Sequence, residues 1–182
     1  MRKSLTLGLA LAGLALMARA AASPVGVVTG TVQKVDAGAK TVVVKTANGA
    51  EETFHFASRT VVHGAGAVST GSKDALHGLK AGSEVAVHYT VKGTEKTAGE
   101  IDNIGKDGLE KTEGAVASID RGAKTLTLKT ADGTKQTYYL ADRAARDTGK
   151  NIGMGAQKAG HVTVYYTEEA GQKVAHFFQG LF

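Results

Sequence analysis

The chain of 182 residues has no cysteine and no tryptophan, and only five Tyr and five Phe. Without cysteine there are no disulfides, no zinc–thiolate sites, no thiol nucleophile and no lipobox, so a folded form must depend on its apolar core. Aromatics make up 5% of residues, too few to build the two girdles of an outer-membrane barrel well. Serines are scarce and no Gly-x-Ser-x-Gly elbow occurs. Acidic residues fall mainly in turns (Asp36, Asp120, Asp132) or exposed pairs (Glu51-Glu52, Glu168-Glu169). Nothing in this pattern converges as a hydrolytic site must, so no enzyme is expected and no cofactor is implied.

Charge of one sign is also in short supply. The whole chain carries 22 Lys+Arg against 17 Asp+Glu. Three of the basic residues, Arg2, Lys3 and Arg19, flank the apolar run Leu5 to Met17, which is followed by Ala18-Arg19-Ala20-Ala21-Ala22-Ser23. A basic start, a short apolar stretch and Ala-x-Ala sites after Ala20 or Ala22 read as a signal peptide over 1–22. The run falls short of the roughly 20 apolar residues that span a bilayer. No transmembrane segment is therefore expected in the mature chain, which is expected to be periplasmic or secreted. Removing the leader leaves 19 basic against 17 acidic residues. That near balance argues against a nucleic-acid partner, which would demand a basic footprint.

What the chain has in plenty is repetition and glycine, 24 residues of it. Gly30 to Ala57 is written again as Gly114 to Ala141, a constant 84 residues later, with 13 of 28 positions identical and no gap. Each copy opens on an extended segment, turns through Asp36-Ala37-Gly38-Ala39 or its counterpart at Asp120, and continues as an alternating strand, Thr41 to Thr46 or Thr125 to Lys129. Gly38 is expected to supply a positive φ in the first turn. Asn48-Gly49 and Asp132-Gly133 are the strongest short hairpin signals available. Strand three follows, Thr53 to Phe56 with Phe54 and Phe56 inward, matched by Tyr138 and Leu140.

The copies then diverge through crossovers of different length, where Ser72 to His77 and Ala141 to Arg146 suggest single helical turns. They converge again on strand four (Val85, Val87, Tyr89; Val162, Val164, Tyr166) and strand five (Ala98, Ile101, Ile104; Ala175, Phe178, Leu181). Gly160 to Val162 is one residue shorter than Gly82 to Val85, so the repeat leaves the register of the second copy's strand four open. Three strands, a crossover and two strands is the order of an OB-fold barrel, with an SH3-like barrel the nearest rival. The expected organisation is all-β: signal peptide 1–22, barrel one 23–105, linker 106–112 and barrel two 113–182. The alternatives are a single ten-stranded sandwich or a small outer-membrane β-barrel ending in Phe182.

The pattern Gly-x-Val-x-x-(Val/Ile)-Asp, then (Val/Leu)-x-(Val/Leu)-Lys-Thr, Asn/Asp-Gly and Leu79-Lys80-Ala81-Gly82-Ser83-Glu84-Val85 resembles exported bacterial repeat domains of unknown function built on a small OB-like barrel. The resemblance covers nearly all of the mature chain and implies a fold but no reaction. A related class, the small periplasmic copper-binding OB-fold proteins, opens with similar hairpins and uses His, Met and Trp as ligands. Here Trp is absent, Met154 is the one methionine beyond the leader, and the six histidines are scattered. If a metal is held, His63 and His77 with Asp74, all on the longer crossover, are the place to look.

The favoured reading is a non-catalytic binding or structural module of the cell envelope. OB-folds bind through the outer face of strands two and three and the adjoining loops. Outward positions fall to His55 and His88 in the first copy and to Tyr139 and Tyr165 in the second, which adds Lys129, Lys135 and Arg121. Aromatics interleaved with cations can stack on sugars or bases and hold anions. Tyr139, Tyr165, Lys129, Lys135 and Arg121 are therefore the expected ligand surface, for an envelope glycan or polyanion. A protein–protein spacer whose strand edges dock a partner is the main alternative.

Overall fold

The computed structural model describes residues 25–64, 69–70, 78–147 and 160–181, of which 25, 69–70, 145–147 and 181 by their backbone alone. Among these residues no helix is long and apolar enough to cross a membrane. The strands are β1 (Val25–Asp36), β2 (Thr41–Thr46), β3 (Glu51–His63), β4 (Ser69–Thr70), β5 (Glu84–Lys92), β6 (Glu95–Asn103), β7 (Glu110–Asp120), β8 (Thr125–Lys129), β9 (Lys135–Leu140), β10 (His161–Glu169) and β11 (Gln172–Leu181). One six-residue helix, α1 (Asp142–Asp147), follows β9. The helical turn expected at Ser72 to His77 lies outside the described residues.

The strands form two small cylinders with the same course. In the first, β1 pairs with β2, β2 with β3, β3 with β6, β6 with β5, and β5 returns to β1, with β4 added to β3. In the second, β10-β11-β9-β8-β7 is closed in the corresponding order. Strands three and five of each unit run parallel and the other pairs antiparallel. This is the five-stranded, OB-like arrangement, and among the described residues neither a single ten-stranded cylinder nor one shared sandwich is formed.

Each interior is filled by the alternating apolar positions. Val32, Val42, Val44, Phe54, Phe56, Val85, Val87 and Ile101 pack the first barrel. Leu126, Leu128, Tyr138, Leu140, Val162 and Val164 pack the second. The shorter lead into β10 leaves the register unchanged, since Val85 lies opposite Gly30 and Val162 opposite Gly114.

Two local expectations are corrected. The backbone turns left-handed at Lys40 (φ 53) and Lys124 (φ 51), not at Gly38. The Asp36 and Asp120 carboxylates accept N–H bonds at the head of each turn. The left-handed residue is then the last of the four that separate the paired Asp36 and Thr41, or Asp120 and Thr125. Gly49 (φ 85) and Gly133 (φ 86) do take up the positive φ expected of Asn-Gly and Asp-Gly.

The second correction concerns β3, which does not stop at Phe56. It passes an irregularity between Phe56 and Val61, where Thr60 Oγ1 donates to Ala98 O at 2.6 Å and accepts from Ala57 N–H at 2.8 Å. It then resumes pairing with β6 as far as His63 opposite Asp102. The buried threonine satisfies the backbone that the kink frees, so part of the crossover is strand.

Candidate functional site

Strand five of each barrel carries a bulge, and the two bulges build the site. Ala98 and Ile101 both enter the first core, and Ala175 and Phe178 both pack on the second, although three-residue spacing breaks strand alternation. The extra residue sits between paired positions: Glu100 and Ala98 face consecutive residues of β5, and Phe177 and Ala175 consecutive residues of β10. A bulge of this kind turns two neighbours outward together. Gly99-Glu100 in one barrel and His176-Phe177 in the other are those outward pairs.

The outer face of β5–β6 is packed on the outer face of β10–β11. Ala86 and Leu109 cluster with Tyr165 and Phe177, and Ile104 packs beside them. The His88 and Phe177 rings meet nearly perpendicular to one another, 6.1 Å between centroids. The segment Ile104–Leu109 between β6 and β7 is drawn into this seam. Leu109 is buried, and its N–H donates to Asn103 O at 2.7 Å.

At one end of the seam the contact turns polar. His63, Glu100 and Asp102 from the first barrel and His176 from the second each offer a ligand-type atom, and these four atoms all lie within 4.8 Å of one another. Glu100 and Asp102 alternate with Ile101 on β6, so both point away from the core. His63 reaches them because β3 and β6 pair in parallel there.

The Asp102 carboxylate, 0% exposed, accepts from His63 Nδ1 at 2.9 Å on one oxygen and from His88 Nε2 at 3.1 Å on the other. Burial pushes its pKa up, but these two hydrogen bonds and the histidine charges outweigh burial and hold it below the usual carboxylate value. Burial pulls His63 down, whereas the bond to Asp102 and the charges of Asp102, Glu100 and Glu169 bring it above 6.5. Glu100 is raised, first by burial and then by Asp102, against the lowering pull of His88, His63 and Arg143.

The other half of the cluster is held from the second barrel. Arg143 on α1 donates from Nε to Glu100 Oε2 at 2.8 Å. A Cβ on Gly99 would come within 2.4 Å of that guanidinium, so the bulge glycine makes room for it. Glu100 Oε1 is left buried and without a hydrogen-bond partner, 3.6 Å from His63 Nδ1.

His176 stacks on His63 at 4.0 Å between centroids, tilted by 33°. Its Nε2 lies 2.8 Å from Thr167 Oγ1, whose hydroxyl lies 2.9 Å from Glu169 Oε1. A carboxylate only accepts, so the Thr167 proton goes to Glu169 and the hydroxyl oxygen accepts from His176 Nε2–H. That assigns the tautomer: Nδ1 of His176 is a bare lone pair, buried, with no partner. Burial first, and then the charge of His63, lower the pKa of His176 to about 4 and keep the ring neutral.

The residues expected from sequence are distributed differently. His63 is in the cluster; His77 and Asp74 lie outside the described residues. Tyr139 is 43% exposed on the outer face of β8–β9, in line with Thr137 and Lys135, and Lys129 lies directly opposite Lys135. Arg121 is exposed in the turn before β8. Tyr165 does not join that face. It points away from its own core, as expected, but is 6% exposed because the first barrel covers it. His88, also expected outward, is covered at 1% exposure by the second barrel for the same reason.

No family model matches the chain, and no curated protein matches it. Among solved structures it is similar to the crystal structure of Ag(I)CusF, 18% identical over 44% of this chain and 97% of that one, with a TM-score of 0.34. It is similar as well to apo-CusF residues 6–88 from Escherichia coli, 18% identical over 50% of this chain and 100% of that one, at 0.35. A third structure, drosophila Unr CSD456, is 13% identical over 88% of this chain and 63% of that one, at 0.36.

Proposed function

We propose that this protein is an exported, non-catalytic binding module that holds a metal ion in the seam between its two barrels. The observation that carries this reading is Nδ1 of His176, a buried lone pair with no partner, on a ring that joins a histidine and two carboxylates in one buried cluster. Leaving a buried polar atom unpaired costs about 1–3 kcal/mol, and such atoms call for an explanation. A cation placed between the four donors satisfies His176 Nδ1 and Glu100 Oε1 at once. The donor atoms enclose the space of one ion rather than a substrate cleft, which supports binding without chemistry. Export rests on the leader-like Met1 to Ala22.

Calorimetric titration of the full chain with zinc, copper and nickel salts tests this. One ion per chain is expected, with affinity lost when His63 and His176 are both replaced by Gln. Equal binding by that double variant, or no binding of any ion, removes the reading.

A second surface has its own support. At the position of Glu51 in the first barrel the second has Lys135, so Lys129 faces a like charge across the ladder where Lys45 faces Glu51. Like charges directly opposite are destabilising. With Tyr139 exposed beside them, this face suits a glycan or polyanion, and salt-sensitive retention on heparin that Tyr139→Ala abolishes is its test.

A further inference from the structure

A metal ion held between the barrels can be of several kinds, and the choice among them rests on the metal reading itself. We infer that the seam selects a borderline divalent first-row cation in a tetrahedral shell, zinc foremost, and refuses soft monovalent ions. Three observations carry this.

The first is donor chemistry. The four donors are two imidazole nitrogens and two carboxylate oxygens. Imidazole suits zinc, copper(II) and nickel, whereas soft monovalent ions choose thiolate and thioether, and calcium and magnesium choose oxygen alone. The chain has no cysteine, and none of the four donors is a thioether.

The second is size. Bonds of about 2.0–2.2 Å around a tetrahedral ion put neighbouring ligand atoms about 3.3–3.6 Å apart. His63 Nδ1 already lies 2.9 Å from Asp102 Oδ1 and 3.6 Å from Glu100 Oε1. With all four donors within 4.8 Å of one another, short side-chain shifts bring them to the edges of such a shell once His63 Nδ1 gives up the proton it shares with Asp102.

The third is the surrounding support. Three of the four donors have a second partner that fixes their aim: His88 on the other oxygen of Asp102, Arg143 on Oε2 of Glu100, Thr167 on Nε2 of His176. Such outer contacts orient ligands and raise affinity. Two carboxylates against a dication also leave the four-ligand shell without net charge, which a buried site requires.

Cobalt(II) is the test ion, because its visible spectrum is intense in tetrahedral and weak in octahedral surroundings. Titrating the full chain with cobalt is expected to give the intense bands at one ion per chain, displaced by zinc and untouched by equimolar silver(I). Glu100→Gln, which keeps shape and packing, is expected to weaken cobalt binding about 10- to 100-fold, with unchanged far-ultraviolet circular dichroism as the folding control. Weak octahedral bands, or displacement by silver as effective as by zinc, overturns the ion class and leaves the metal reading standing. Failure of every ion to bind removes both.

Discussion

His63 of the first barrel lies face to face with His176 of the second, ring centroids 4.0 Å apart. Two imidazoles tolerate this contact only while at least one is uncharged, and the structure assigns the charges unequally. His63 is drawn up by Asp102 and its neighbouring carboxylates, while His176 is held neutral to about 4 by burial and by His63 itself.

That inequality gives a pH dependence. His176 is depressed in the folded state, so between its ordinary value of 6.5 and about 4 the unfolded chain takes up a proton that the folded chain refuses. Its contribution to stability is full above 6.5 and is lost as pH falls toward 4. His63, raised in the folded state, acts in the opposite sense, contributing below 6.5 and losing that contribution as pH rises through its folded value. Asp102, Glu100, Glu169 and His88 face the same pair, so the difference between two proteins isolates His176. In metal-free buffer, the urea midpoint is expected to fall further between about pH 7 and pH 4.5 in the parent than in His176→Gln. Parallel curves would show that His176 is not held neutral.

The tautomer of His176 depends on a relay through Thr167 to Glu169. Thr167→Val keeps the shape and removes the acceptor for Nε2–H. Zinc affinity is expected to drop about 10-fold or more. The ring nitrogen shifts of His176 are expected to change from a single tautomer to a mixture. An unchanged tautomer in that variant would place the control elsewhere.

How much of this was legible in the residues depends on distance along the chain. The hairpins were, because their signals are local: Asp36 and Asp120 reach N–H groups two or three residues away, and Gly49 and Gly133 follow Asn and Asp. The two-barrel course followed from the repeat. The seam was not. Glu100-Ile101-Asp102 alternates as a strand with a solvated face would, and nothing local says that a second barrel covers that face. His63 and Asp102 bond across 39 residues of chain. One signal was available: Ala98 with Ile101, and Ala175 with Phe178, are apolar at spacing three inside a strand, which calls for a bulge and for two outward neighbours at Gly99-Glu100 and His176-Phe177. Tyr165 and His88 stand outside their own barrels, as strand alternation predicts, and are lost from the surface by the same packing.

The two β2–β3-type faces differ by a charge reversal. Lys135→Glu is expected to recreate the first barrel's Lys45–Glu51 pairing in the second and raise stability by about 0.5 kcal/mol. It should also weaken any retention on heparin. A lower melting temperature would mean that Lys135 has a favourable role in the free protein.

Gly30 and Gly114 hold equivalent places where β1 and β7 cross their neighbours. A Cβ on Gly30 would stand 2.3 Å from Lys45 O, and one on Gly114 2.7 Å from Lys129 O. Backbone has to move in both cases, further in the first. Gly30→Ala is expected to cost about 2–3 kcal/mol in chemical denaturation and Gly114→Ala somewhat less. The reverse order would mean that the first barrel is the more compliant one.

Crystals grown with zinc decide whether one ion is shared by both barrels. An anomalous difference map at the zinc edge is expected to show one strong peak per chain, bounded by His63, Glu100, Asp102 and His176. A map with no peak there, or with its zinc only on surface histidines such as His55 or His161, would contradict it.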